Sequence, residues 1–560
     1  GAYRLSVSYV DAKGLPHADS VDLNVVNYPV MESVNVRAEP SVWAGGSTSL
    51  RAWAPGLSGD TLANTPVEWT QVGGPSAVLD ATNNLRLVVK APSVSVDTIL
   101  TMRATLTFKS GHKTSRDFQL LVQLPPAAAA APLFDSKNPA SRVSPYVENG
   151  RYAQALSECI YTPSLSNSSN SLCTFSKLPL LGTESAGAMP SVEQIMARVL
   201  VSHDWLGANF ERFLREQDPH GDFRRMLGAT TAIVLGGHVR PSFYWSATGA
   251  IYLDGANLWL TPEQRDTLSE APDPRSAYGL DLQYQSPWRY VHNDRYAFKN
   301  FPIIERSSRT LDDAKLALAD LLYHELTHAN DFIPPSTHVG MSGALHPYQV
   351  SPPITASQDL RARLPFVDEP MVGLGRVNFF GVSSSAQQRA YTPADIARYF
   401  SSDRVTDDYA YSLPVGSSMP HEDAAMLVEE AMMQLRYGVQ RDFAIAPRLA
   451  TTQSSADLLV EWGQRGRVGE SKIRPRVALV MSHIMPWFGQ AALDTLPAPR
   501  LLRPGLTWGE NLDQSALQAG RVRPLSAQER ATEAEQAAQR NRDRGASARI
   551  RAADAKRRFE

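Results

Sequence analysis

The sequence predicts a multidomain protein with an all-β amino-terminal part, an α+β domain after it and a helical carboxy-terminal tail. Three observations carry this prediction. The first third alternates apolar and polar residues at the strand period, with turn residues between the runs. A Pro/Ala stretch around Pro125, Pro126 and Pro132 then breaks the pattern. Beyond it, helical spacing mixes with short apolar runs. The 560 residues correspond to roughly three to five domains. Apolar residues are 43% and charged residues 20%, average for a globular chain, which excludes wholesale disorder. Lys+Arg 55 against Asp+Glu 57 gives a net charge of -2, so no global basic field exists to hold nucleic acid. No apolar run approaches the roughly 20 residues of a membrane span.

The β-part has internal structure of its own. Residues 3–10 alternate, Asp11-Ala12-Lys13-Gly14 is turn chemistry, and residues 19–26 alternate again. The pattern returns in residues 100–108, the turn Lys109-Ser110-Gly111-His112, and residues 117–122. This is a weak internal repeat of one hairpin. The second copy closes a complete module over residues 29–124, whereas residues 1–28 read as the end of a truncated upstream repeat. Trp69-Thr70-Gln71-Val72-Gly73-Gly74-Pro75-Ser76, then Ala91-Pro92, then the closing hairpin resemble PKD-type immunoglobulin-like domains. That resemblance implies a β-sandwich acting as a spacer or weak binder. Residues 125–135 form the linker.

Only two cysteines are present, Cys159 and Cys173, and they flank a polar run, 162–171. They are expected to form a disulfide, contributing about 3 kcal/mol for a loop of about 15 residues. A disulfide implies an oxidising compartment, so the chain is expected to be extracytoplasmic: secreted, periplasmic or on a bacterial surface. Gly1 opens directly on a strand-like segment, so a signal peptide is not read in this sequence and export is inferred from the cysteines.

Chemistry concentrates at His324-Glu325-Leu326-Thr327-His328, an HExxH motif. Thr310 and Asp313 form a capping box, and Asp312 and Asp313 suit a helix N-terminus. Leu311, Leu318, Leu321 and Leu322 give a buried helical face, and Pro334-Pro335 stop it. The motif therefore sits late in a helix of about 20 residues. On a helix, i and i+4 share a face about 5–6 Å apart, so both imidazoles reach one ion. Zinc accepts histidine nitrogens at about 2.0–2.1 Å and keeps one position for water in a catalytic site. Glu325 can then act as general base.

The third ligand must come from elsewhere. A metzincin needs Gly and His three and six residues after His328, where this chain has Asp331 and Pro334. A glutamate on a downstream helix is expected instead, and residues 419–431 offer one. Ser418 can cap that helix and Pro420 falls in its first turn. Here His324 to Asp331 fits H-E-x-x-H-A-x-D, and Glu422-Asp423-Ala424-Ala425 fits E-x-x-A. Together they resemble the gluzincin-like metallopeptidases that include the catalytic domain of anthrax lethal factor. The resemblance implies a zincin-like domain over residues 136–520, Zn2+ held by His324, His328 and Glu422, and a tyrosine that stabilises the tetrahedral intermediate, Tyr411 or Tyr409. Glu429, seven residues after Glu422 on the same face, is the alternative ligand. Asp331 either accepts a hydrogen bond from a ligand histidine or caps the helix end. His421 is expected beside the ligands or at the surface. Residues 249–254 are the candidate edge strand for an extended peptide.

The expected function is a zinc metallopeptidase acting on protein or peptide. The alternatives are a non-catalytic surface adhesion or scaffold protein that keeps the fold as structure, and a peptidoglycan amide hydrolase. Residues 521–560 are expected to be a charged helical tail, solvated or in contact with an envelope surface.

Overall fold

A computed structural model describes the chain except residues 1, 11–15, 25–32, 58–60, 63, 84, 126–141, 161–171, 238, 240–241, 272–277, 351, 408–410, 412–420, 450–453 and 544–560. Alternating apolar residues build two four-stranded sheets between residues 35 and 123. One runs Ser41–Trp43, Lys113–Gln123, Thr98–Thr107, Val67–Gly73; the other runs Asn35–Ala38, Ser47–Trp53, Arg86–Lys90, Val78–Asn83. Leu50, Leu87 and Val89 of one sheet meet Leu100, Met102, Leu106 and Leu120 of the other in a single core, so this region is a β-sandwich. The expected linker, 125–135, lies almost wholly outside the described residues.

The first hairpin, Ala2–Val10 with Pro16–Asn24, repeats the closing hairpin in chemistry as well as shape. Each has one cross-strand Arg–Asp pair, Arg4 with Asp22 at 2.7 Å and Arg103 with Asp117 at 2.6 Å. The apolar face of the closing hairpin is covered by the second sheet. Tyr3, Leu5, Val7 and Val21 of the first hairpin remain 52% to 61% exposed.

The sandwich is fastened to the rest of the chain. Arg51 Nε donates to Glu270 at 2.7 Å, and the Glu270 amide donates to Ser49 Oγ at 2.6 Å. His203 Nε2 lies 2.9 Å from Glu39, and the Arg306 guanidinium stacks 4.6 Å over Trp53.

The larger domain has two sheets. The first runs Ser144–Pro145, Val199–Val201, Ala232–Gly236, Ala250–Asp254, Phe243–Trp245; its three central strands are parallel. Those strands are apolar without alternation because both faces are covered. The edge expected at residues 249–254 is therefore corrected: Ala250–Asp254 is an interior strand, all five residues buried, and Phe243–Trp245 is the edge. The second sheet is antiparallel, in the order Arg295–Tyr296, Trp288–His292, Gln440–Pro447, Trp462–Arg465, Arg500–Leu501, with Tyr284–Gln285 also pairing to Gln440–Pro447.

Two helices carry the site. The motif helix is Leu311–Phe332, and its Thr310–Asp313 capping box is formed as the sequence predicts. The second helix is His421–Tyr437. Leu318, Leu322 and Leu326 of the first share a core with Leu427, Val428 and Ala431 of the second. Cys159 and Cys173 form the expected disulfide, with Cα atoms 5.5 Å apart. The loop between them is outside the described residues.

The tail differs from a solvated helix. Its described part, Ala527–Asp543, is docked: buried Glu533 receives Tyr296 Oη–H and Trp508 Nε1–H, each at 3.0 Å. No helix among the described residues is long and apolar enough to cross a membrane.

Candidate metal centre

The motif helix places His324 and His328 one turn apart, and the second helix brings Glu422 to them. Among the described residues, these three form the only cluster of at least three His, Cys, Asp or Glu groups suited to an ion, with donor atoms within 4.8 Å of one another. The two Nε2 atoms are 3.2 Å apart. Glu422 Oε2 lies 3.2 Å from His324 Nε2 and 3.7 Å from His328 Nε2. Ligands about 2.0–2.1 Å from a tetrahedral zinc ion stand about 3.3–3.4 Å apart along each edge. Two edges of the triangle lie near that spacing and the third, at 3.7 Å, is somewhat longer. His328 is fully buried while the His324 side chain keeps 15% of its surface exposed, so the cluster is reached from the His324 side. Glu325, the expected base, is buried one residue further on.

The structure separates the two candidate glutamates by the nitrogen they face. Glu422 approaches Nε2, whereas Glu429 accepts the Nδ1–H of His324 at 2.8 Å. Glu429 thus stands behind the imidazole. Its hydrogen bond fixes the ring orientation and leaves Nε2 as the donor atom. Burial alone would lower the His324 pKa; the hydrogen bonds to Glu422 and Glu429 raise it to about 10. Burial would raise Glu429, but the His324 hydrogen bond and the charge of Arg441 hold it at about 2.

Asp331 reaches neither histidine of the motif. It accepts the Ser357 amide at 2.9 Å, the Ser357 hydroxyl at 2.6 Å and His421 Nδ1 at 2.5 Å. Buried His421 also stacks on Phe332, with ring centroids 5.0 Å apart. This cluster ties the end of the motif helix to the residue before Glu422. Tyr411 is committed elsewhere. Its hydroxyl donates to Asp403 and its ring packs against Phe366 and Phe400, in a core distinct from the one around the motif helix. It therefore has no free hydroxyl for the role expected of it. Tyr409 lies outside the described residues.

Sequence reasoning missed Tyr290 and Arg441, which both donate to Glu429. Nothing near either residue resembles a motif. Tyr290 precedes Glu429 by 139 residues and Arg441 follows it by 12, on two paired strands of one sheet, so only the fold unites them.

No family model matches the chain, and no curated protein matches it. Among solved structures, the chain is similar to a PKD domain from the KIAA 1837 protein, at 13% identity over 19% of this chain and 100% of that one, with a TM-score of 0.16. It is also similar to cadherin domains 3–6 of protocadherin gamma B2, at 16% identity over 23% of this chain and 32% of that one, with a TM-score of 0.14. At these scores the likeness carries no argument, and the sandwich rests on its own sheets.

Proposed function

We propose that this protein is a zinc-dependent metallopeptidase that works outside the cytoplasm. The observation that supports it best is the triangle of two imidazole nitrogens and one carboxylate oxygen with edges of 3.2, 3.2 and 3.7 Å, near those of a tetrahedral site, next to a glutamate in the motif's base position. A zinc ion held there supplies a Lewis acid that polarises a carbonyl and acidifies water. Glu325 takes the proton from the attacking water and passes it to the leaving amine. Glu429 keeps the His324 ring in its orientation throughout. The Cys159–Cys173 bridge favours an oxidising compartment.

The test combines metal analysis with one substitution. Purified protein should contain about one zinc per chain and hydrolyse casein in a chelator-sensitive way. Glu325→Gln should retain zinc and lose about 10²- to 10⁴-fold in rate, the usual contribution of a general base. Metal-free protein, or full activity in the variant, would overturn the reading.

A further inference from the structure

The two oxygens of Glu429 have different duties. Oε2 receives the Nδ1–H of His324 at 2.8 Å. Oε1 receives the Tyr290 hydroxyl and an Arg441 N–H, the latter at 2.9 Å. Tyr290 and Arg441 are direct cross-strand partners in the antiparallel pairing of Trp288–His292 with Gln440–Pro447. One rung of the sheet therefore grips one oxygen of a helix-borne carboxylate, and the other oxygen is left to aim at the imidazole. Two donors converging on Oε1 remove the swivel that a single hydrogen bond would leave. Arg441 is itself held, by Asp407 and by stacking 4.2 Å over Trp288. Charge-assisted hydrogen bonds of this kind are the stronger class.

We propose that Tyr290 and Arg441 are positioning residues of the metal centre, acting through Glu429 on the direction of His324 Nε2. This rests on the reading of His324, His328 and Glu422 as ligands. A rung that merely stabilised the fold would leave ion affinity and coordination geometry alone, whereas one that aims the imidazole changes both. Groups that orient a ligand histidine typically carry about 10- to 100-fold in metal affinity.

The deciding variant is Tyr290→Phe, which keeps the ring and removes only the hydroxyl. Zinc affinity is measured on the full chain by competition with a chromophoric chelator, and the visible spectrum of the cobalt-substituted protein reports the geometry. Tyr290→Phe should bind zinc roughly tenfold or more weakly and shift the cobalt bands. Arg441→Lys, which keeps the charge but loses the fork, should move both readouts the same way. Tyr323→Phe is the control: its hydroxyl lies 3.3 Å from Asp222, away from Glu429, so both readouts should stay at wild type. A Tyr290→Phe protein identical to wild type, or a Tyr323→Phe protein equally weakened, overturns this inference alone. A wild-type chain that binds neither ion overturns the metal reading and the inference with it.

Discussion

The sandwich and the larger domain bury different things. The sandwich core is apolar, with Leu50, Leu87, Val89, Leu100, Met102 and Leu120 fully buried. The larger domain also buries arginines: Arg198, Arg289, Arg465, Arg467 and Arg476 are among its largest fully enclosed side chains. Each is answered. Arg198 meets Glu184 at 2.6 Å, Arg289 and Arg465 share Asp442 at 2.8 and 2.6 Å, and Arg467 donates to the carbonyls of Phe400, Asp403 and Val405. Arg476 grips Asp423, the neighbour of Glu422. An apolar core tolerates small shifts of its elements, because burial has no direction. A buried ion pair tolerates few, because a misplaced partner leaves an uncompensated charge. Geometry is stored differently in the two: the domain that carries the candidate site ties its elements with buried charge pairs, whereas the cross-strand pair within the sandwich, Arg103 with Asp117, is exposed and its core is apolar.

The largest expected break in that contrast is Asp442→Ala. It removes the carboxylate shared by two fully buried guanidiniums, leaving Arg289 only the Trp508 carbonyl and the Tyr296 hydroxyl and Arg465 only Asp294 and the Leu512 carbonyl, and removing one partner of a buried pair costs about 3–5 kcal/mol. Thermal unfolding should show the larger domain's transition collapse while the sandwich's transition is preserved. Equal loss in both would mean that the two regions unfold as one unit and the contrast has no energetic content.

Leu87→Ala is the reciprocal change. It opens a cavity between the two sheets at a fully buried position, with an expected cost of about 2–5 kcal/mol. The sandwich transition should fall, and zinc affinity should stay within error of wild type. A large drop in zinc affinity would make the sandwich part of the site's support.

The same contrast explains what the sequence made legible. Local signals were readable: Thr310 and Asp313 cap the motif helix three residues apart, and alternation in residues 100–122 drew the closing hairpin. The choice between Glu422 and Glu429 was not readable, because seven residues is two helical turns and puts both on one face. Only the fold shows that the two face different nitrogens of the His324 ring. The interior placement of Ala250–Asp254 was hidden because an apolar run looks alike at an edge and in the middle of a parallel sheet. Asp442 and its arginines gave no sign at all, since Arg289 lies 153 residues away and charge pairs between distant strands leave no periodicity. Tyr411 failed for a related reason: proximity in sequence to Glu422 said nothing about Asp403 taking its hydroxyl.

The smallest expected effect lies at the docked tail, where charge again sets placement but solvent is close. Glu529 accepts from Arg523 at 2.8 Å and from Arg295 at 2.9 Å, and also caps its helix through Ser526. The Arg523 hydrogen bond, aided by the backbone of Ser526 and by Arg295, holds its pKa well below the usual carboxylate range against the opposing pull of burial. A carboxyl depressed in the folded state contributes stability above its unfolded value of about 4.3, and that contribution fades as pH falls through the folded value. Tail docking should therefore weaken below about pH 4 and be unaffected between neutral and mildly acidic pH. Trp508, whose indole donates to Glu533 on the same helix, gives a fluorescence readout. Glu529→Gln should flatten the acid dependence of that signal; an unchanged acid profile in the variant would assign the docking to the Glu533 contacts instead.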